Sequence, residues 1–165
     1  MKPERVEILR QGMIAGVLGY AVVAAFFAVL NFQAGHSIFR TASVLGSVLF
    51  YGLRDIDLLT VSAGPVLAFN GVHLLVFLAY GIVAAWLADL SERGPHLWYV
   101  SAILMITFAF HLFGLLLGVS MTLESVIPAW SLLVSGLLGS AAVAAYLLWS
   151  HPALRHSLTL QPGEA

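Results

Sequence analysis

Long stretches without a charged side chain constrain this chain more than any other feature of its sequence. Asp, Glu, Lys and Arg are absent from four windows, at residues 11–39, 58–88, 94–123 and 125–154. Because an α-helix rises about 1.5 Å per residue, about 20 apolar residues cross the hydrocarbon core of a bilayer. The windows therefore predict four transmembrane helices, at about residues 12–32, 65–88, 95–119 and 128–149.

The composition agrees with a membrane protein. Of the 165 residues, 61% are hydrophobic and only 9% are charged, whereas roughly a quarter of the residues of a soluble domain are charged. We therefore expect an all-α integral membrane protein, a four-helix bundle in which residues 1–165 form one membrane domain. The net charge of −1 offers no basic surface for nucleic acid, and the lack of cysteine excludes disulfides and thiolate ligands. The expected partners are the lipid bilayer and other membrane protein subunits.

Prolines and basic residues indicate the ends and the orientation of the spans. Pro65, Pro95 and Pro128 fit the first turns of helices, where the missing N–H has no cost. Positive charges concentrate on the side of the bilayer that carries both termini. That side holds Lys2, Arg5, Arg10, Arg93 and Arg155, and the other side holds Arg40 and Arg54. The positive-inside rule therefore predicts that both termini are cytoplasmic, and a bacterial inner or plasma membrane is the expected location.

The segment between spans one and two, residues 34–64, is predicted to contain a short amphipathic helix. At helical spacing, one face carries polar residues and the opposite face carries apolar residues. The polar face comprises Arg40, Ser43, Ser47 and Arg54, and the apolar face Ile38, Ala42, Leu45, Leu49 and Leu53. We expect this helix to lie at the outer membrane interface or over the mouth of the bundle, as a cap or as a lid over a ligand pocket.

Two histidines stand within predicted spans, His73 in span two and His111 in span three. A tight turn around Arg93 joins these spans, so we expect them to be antiparallel neighbours. His73 precedes Arg93 by nearly as many residues as separate Arg93 from His111, and the difference corresponds to about 3 Å along a helix. The two imidazoles are therefore predicted to lie at one depth, in the outer half of the bilayer.

Polar and small residues share a helix row with each histidine, as they do on the interior faces of membrane bundles. On span two the row comprises Asn70, His73, Phe77, Tyr80, Gly81, Ala84 and Ala88, and on span three Thr107, His111, Gly114 and Gly118. His73 and His111 are therefore predicted to face each other inside the bundle, directly or across a bound group.

A b-type haem is one group that this pair would hold. Two facing imidazoles can be the axial ligands of haem iron, which makes His73 and His111 the candidate metal ligands. Asn70, one turn from His73, would hydrogen-bond the imidazole or the bound group. Arg40 and Arg54, on the outer side, would neutralise the haem propionates.

Other interpretations of the histidines stay open. The simplest is an interhelical hydrogen-bond cluster of His73, Asn70 and His111, in which each bond contributes about 0.6–2 kcal/mol. A metal ion, a quinone and a water-lined cavity are further alternatives. A zinc site would need a third ligand, for which His36 is the spare histidine on that side. The remaining histidines are expected to reach the lipid headgroups; they are His96, His151 and His156.

The spans contain no carboxylate, lysine or arginine, which disfavours a coupled transporter. They also lack a catalytic constellation, so we do not expect an enzyme. Small residues form rows that favour close helix packing, namely Gly12, Gly16, Ala24 and Ala28 in span one and Ser131, Ser135, Gly136, Gly139 and Ser140 in span four. The sequence therefore predicts a non-catalytic accessory subunit of a larger membrane complex, such as an energy-converting one. The alternatives are a haem b-binding electron-transfer bundle and a small-solute channel.

Overall fold

The computed structural model describes residues 3–94 and 127–152. Within these ranges the chain is helical and contains no strand. The helices are α1 (Pro3–Gln33), α2 (Arg40–Tyr51), α3 (Ala63–Glu92) and α4 (Ala129–Ser150), with a short 3-10 turn at Ile56–Leu58. The prediction of a helical fold is confirmed for this part of the chain.

Three of these helices, α1, α3 and α4, are long and apolar enough to cross a membrane. They coincide with the spans predicted at residues 12–32, 65–88 and 128–149. The helix α2 has only 12 residues and is too short to cross. The span predicted at residues 95–119, which includes His111, lies outside the described residues, so the four-span bundle stays a prediction.

Glycines bring α1 and α3 into backbone contact. A Cβ atom on Gly16 would lie 2.5 Å from the carbonyl oxygen of Phe77, and a Cβ on Gly12 would lie 2.8 Å from the amide nitrogen of Ile82. From the other side, a Cβ on Gly81 would overlap the backbone of both α1 glycines. No side chain larger than hydrogen fits at these positions, so the predicted Gly12–Gly16 row packs within this chain.

Small residues also line the side of α4 that faces α1. Ser131, Ser135 and Gly139 are buried, and a Cβ on Gly139 would meet the Val23 side chain at 2.8 Å. Both serine hydroxyls donate to backbone carbonyl oxygens three residues earlier, at 2.7 and 3.0 Å. Small side chains therefore let α1 approach this face of α4 closely, and the two serine hydroxyls are satisfied without a partner on another helix.

The helix α1 lies between α3 and α4, and both neighbours run antiparallel to it. The glycine contacts and the packing of Tyr20 against His73 establish the direction of α3. At the end of α4, the His151 ring contacts both Gln11, near the start of α1, and Glu92, at the end of α3. Hence α3 and α4 both end where α1 begins, and α4 begins at the opposite end of the bundle.

Two compact clusters of buried apolar side chains fill the helix interfaces. The first comprises Ala15, Tyr80, Ala84, Ala85, Val143 and Leu147, and the second comprises Val44, Ile127 and Leu132. Many larger apolar side chains lie on the surface instead, and Leu67, Leu137 and Trp149 are each 70% or more exposed. Small residues inside and large apolar residues outside fit a bundle whose helices pack in lipid.

The helix α2 forms within the predicted amphipathic segment, but its polar face is the buried one. Ser43 and Ser47 are buried, whereas Leu49, from the predicted apolar face, is 50% exposed. At the closest approach to α3, a Cβ on Gly46 would overlap the Pro65 backbone. The prediction of a helix is therefore confirmed, and the face that carries Ser43 and Ser47 packs inward, because serine and glycine permit a closer approach than leucine does.

A glycine in the left-handed conformation follows α1, and another follows α2. Gly35, after α1, has φ +73°, and the next N–H, of His36, donates to the Asn31 carbonyl oxygen at 2.9 Å. Gly52, after α2, has φ +69°, and the N–H of Leu53 donates to the Ser47 carbonyl oxygen. Such glycines allow the last helical carbonyl groups to find partners before the chain turns.

We expect Gly81→Ala to destabilise the fold by about 1–3 kcal/mol, because the new methyl group would collide with the α1 backbone. Gly71→Ala, on the same helix, is the matched control, since a Cβ there meets nothing within 4 Å in the described structure. Reversible unfolding in mixed micelles, followed by circular dichroism, measures both variants. Equal stability of the two would show that α1 and α3 do not touch at Gly81.

Candidate functional site

His73 lies half-buried at the interface of α1 and α3, among aromatic rings. Its ring centroid is 5.0 Å from that of Phe77, 5.1 Å from that of Phe69 and 5.6 Å from that of Tyr20. Phe77 and Tyr20 meet the imidazole edge-on, at 72° and 74°, which is a favourable arrangement for aromatic pairs. The predicted interior row of α3 therefore faces α1 at this level.

Asn70 lies one helical turn from His73, as the sequence requires, but its side-chain amide forms its hydrogen bonds with other residues. The Tyr20 hydroxyl donates to Asn70 Oδ1 at 2.8 Å, and Asn70 Nδ2 donates to the Val66 carbonyl oxygen at 2.8 Å. Both ends of the Asn70 amide are thus engaged, and Tyr20 connects both predicted site residues to α1. His111, the predicted partner of His73, lies outside the described residues.

The two arginines predicted for the haem propionates lie near the ends of α2. Arg40 begins α2, beside the end of α1 at Asn31, and Arg54 is exposed just after the end of α2. Along α1, Asn31 is roughly 16 Å from Tyr20, which marks the level of the histidine. Arg40 therefore belongs to a different part of the molecule from the His73 cluster.

A cavity, which we call the end cavity, opens where α1 ends and where α2 and α4 begin. Its volume is about 300 Å³, at the small end of the range of about 300–1,000 Å³ for ligand pockets. Its wall has an apolar part that includes Phe27, Leu30 and Trp130 and a polar part that includes Asn31, His36 and Arg40. Among the described residues that line it there is no carboxylate, so the cavity presents positive charge.

Asn31 fixes the polar wall of the end cavity. Its side-chain Nδ2 lies 3.0 Å from the Thr41 hydroxyl and 3.3 Å from the Ile38 carbonyl oxygen. Its backbone carbonyl oxygen accepts a hydrogen bond from the His36 N–H. Asn31 is only 8% exposed. The buried Asn31 side chain thus bonds to the α1–α2 loop and to the start of α2. Arg40 lies between its partners Ile38 and Thr41, and this positions Arg40 at the rim of the end cavity.

A buried histidine joins the three long helices at the other end of the bundle. The ring nitrogens of His151 lie 2.9 Å from Gln11 Oε1 and 3.1 Å from Glu92 Oε2. Gln11 Nε2 donates to Glu7 at 3.0 Å, which orients the Gln11 amide oxygen towards His151. Both ring nitrogens of this buried side chain therefore contact oxygen atoms of other helices. The expectation that His151 reaches the headgroups is wrong, since its side chain is buried.

Sequence reasoning missed Tyr20, Gln11 and Asn31, which carry the polar contacts of α1. Each is an isolated polar residue in or beside an apolar window, and that isolation was the available signal. Their partners are 50, 140 and 10 residues away along the chain. Such pairings depend on how the helices are rotated against each other, which a sequence pattern alone does not give.

The described geometry defines the class of protein. Across residues 3–94 and 127–152, no three His, Asp or Glu side chains are grouped to bind one metal ion. No protein-family model, no curated protein and no solved structure matches this chain. The molecule is thus a helical protein with three helices able to cross a membrane, and its function has to be argued from its own residues.

We expect Tyr20→Phe to destabilise the fold by about 0.6–2 kcal/mol, because it leaves Asn70 Oδ1 without its donor. In an Asn70→Leu background the same change should cost much less, since the acceptor is already absent. Unfolding in mixed micelles measures this double-mutant cycle, with Tyr51→Phe, at an exposed tyrosine, as the control. Equal effects in the two backgrounds would contradict the Tyr20–Asn70 bond.

Proposed function

We propose that this chain crosses the membrane four times and acts as a non-catalytic accessory subunit of a larger membrane complex, such as an energy-converting one. One observation carries the proposal, namely that α4 carries glycines on two different faces. Gly139 lies against Val23 of α1, whereas a Cβ on Gly136 would meet nothing within 4 Å in the described part of the chain.

The exposed face of α4 has the composition of a helix-docking surface. Gly136 lies between Leu133 and Leu137, which are 46% and 70% exposed. Ser140, one turn further along α4, instead hydrogen-bonds the Tyr80 side chain of α3. A glycine flanked by leucines forms a notch that accepts the ridge of side chains of another helix. A partner helix seated in this notch would gain van der Waals contacts with both leucines and would need no polar pairing.

The positions of the helix ends support a fourth crossing. The helix α3 ends at Glu92, beside His151, and α4 begins after Pro128, beside Asn31 at the opposite end of the bundle. The predicted span at residues 95–119 would carry the chain from one end to the other. With the basic residues near the start of α1, we infer that both termini face the cytoplasm, in a bacterial inner or plasma membrane.

We expect Gly136→Leu to abolish co-purification of the chain with its partner subunit in mild detergent, because the leucine fills the notch. The stability of the isolated chain should stay within about 0.5 kcal/mol of wild type, as for an exposed substitution. Gly139→Leu is the contrast, because its side chain would collide with Val23 and should unfold the chain itself. Affinity purification from native membranes and unfolding of the isolated chain measure the two effects.

Two outcomes would remove this proposal. Gly136→Leu could lower the stability of the isolated chain as strongly as Gly139→Leu, in which case the notch is filled within this chain. The wild-type chain could also purify from mild detergent as a monodisperse monomer with no partner at all. Either result leaves a bundle that packs on itself.

A haem b-binding electron-transfer bundle is the second candidate, and the environment of His73 favours it. Among the described residues, the contacts of this imidazole are with aromatic rings, and none of them hydrogen-bonds its nitrogens. A half-buried imidazole normally has a polar partner. An iron atom held between His73 and His111 would supply it, with the aromatic rings packed beside the macrocycle.

For this candidate we expect the purified protein to show the α band of a b-type haem in its reduced-minus-oxidised spectrum. The band should be lost in His73→Ala and in His111→Ala, because each removes one axial ligand. His36→Ala is the control, since His36 lies at the end cavity. A colourless preparation from cells that make haem would remove the candidate, and solute flux in liposomes that survives both substitutions would favour a channel.

A further inference from the structure

We propose that the end cavity binds an anionic phospholipid, with Arg40 contacting the phosphate and the apolar wall contacting the glycerol and the first carbons of the acyl chains. The site is separate from the helix-docking notch and from the His73 cluster. It combines a cation that no carboxylate of the described residues neutralises with an apolar wall, and these two properties together select an anionic amphiphile.

No carboxylate of the described residues pairs with the cation in this cavity. Arg10 pairs with Glu7 at 2.7 Å, and Arg93 pairs with Asp89 at 2.6 Å. Within the described ranges no carboxylate pairs with Arg40, although its side chain is partly buried. A partly buried guanidinium without an anion is unfavourable, and a phosphate group matches its planar set of N–H donors in two parallel hydrogen bonds.

Other groups around the cavity favour the same anion. His36, on the rim, offers a second ring N–H donor to a phosphate oxygen. The helices α2 and α4 both begin at the cavity, and neither has a side-chain hydrogen bond capping its first turn. The N–H groups of Arg40 and Ser131 donate to nearby carbonyl oxygens, and the dipoles of the two helices add positive potential to that of Arg40. The charged groups that the described residues bring to this cavity are therefore of one sign.

The apolar wall distinguishes a lipid from free phosphate. Phe27 and Leu30 of α1 face Trp130 of α4 across the cavity, and Trp130 is 54% exposed. Tryptophan is enriched at the level of lipid headgroups, where its ring contacts both apolar chains and polar groups. A soluble phosphate ion makes no use of this wall, whereas the glycerol and upper acyl carbons of a phospholipid do.

The cavity is also formed in advance of binding. The Asn31 side chain holds Thr41 and the Ile38 carbonyl oxygen, so the backbone on both sides of Arg40 is already fixed. A ligand that enters therefore has only the Arg40 and His36 side chains to order. A preformed pocket of about 300 Å³ suits the phosphate and glycerol of one lipid, whose chains continue into the bilayer.

The test is a binding titration of the purified full-length chain in an uncharged detergent. The ligands are dioctanoyl phosphatidic acid, dioctanoylglycerol, which has the same chains without the phosphate, and inorganic phosphate. We expect saturable binding of the phosphatidic acid alone. Arg40→Gln should weaken that binding about tenfold or more, as for the loss of a charged hydrogen-bond partner. Arg40→Lys, which keeps the charge, should weaken it less.

Arg54→Gln is the matched control, because Arg54 is an exposed arginine just beyond the other end of α2, and it should bind as wild type does. Equal effects of Arg40→Gln and Arg54→Gln would overturn the proposal, as would equal binding of dioctanoylglycerol. Equal binding of inorganic phosphate would assign the cavity to a free anion and overturn its assignment to a lipid. If Arg40→Gln fails to fold, the comparison of the three ligands on the wild-type chain decides.

Discussion

The backbone contact between α1 and α3 at their glycines is the constraint on which the rest of the structure depends. Inside a bilayer, burying an apolar side chain against another helix gains little over leaving it against lipid, so close packing has to come from van der Waals contact. Gly12, Gly16 and Gly81 provide it by letting two backbones touch. This contact fixes the rotation and the axial position of α1 against α3.

The polar contacts further along the same pair of helices follow from that rotation. With Gly16 against Phe77, the next turn of α1 places Tyr20 against His73, and its hydroxyl reaches Asn70. In the other direction the same alignment brings Gln11 close to the end of α3, where His151 joins them. The hydrogen bonds therefore select among rotations that the glycines already allow, and each contributes a modest free energy.

The sequence predicts the elements of this fold well because the bilayer imposes length and apolarity on each span. It also predicts the Gly12–Gly16 row, since the packing of small residues is a local pattern. The faces of α2 could not be predicted in the same way. Helix periodicity separates Ser43 and Leu49 into two rows without showing which row packs inward, and in the structure Ser43 is buried and Leu49 is 50% exposed.

The candidate site was predictable only in part for a related reason. His73 and Asn70 stand out as polar residues in an apolar run, and the structure places them on the face expected from their row. Their partner Tyr20 lies 50 residues away, and although its isolation in an apolar window is a signal, the sequence does not show which residue its hydroxyl meets. The prediction that Arg40 neutralises the haem propionates rests only on the side of the membrane where Arg40 lies. The distance along α1 from Asn31, beside Arg40, to Tyr20, beside His73, separates the two residues.

Polar side chains inside the described bundle pair mainly with one another, and no fully buried side-chain nitrogen or oxygen there lacks a hydrogen-bond partner. Tyr20 pairs with Asn70, Asn31 pairs with Thr41, and the buried serines of α4 bond to their own backbone. Within the same part of the chain, the His73 nitrogens and the Arg40 guanidinium lack such partners. Both side chains are only partly buried, so their polar atoms remain accessible to a group from outside the described bundle. The helix α1 contacts both places, so a ligand at either one acts on a helix whose position the glycines have already fixed.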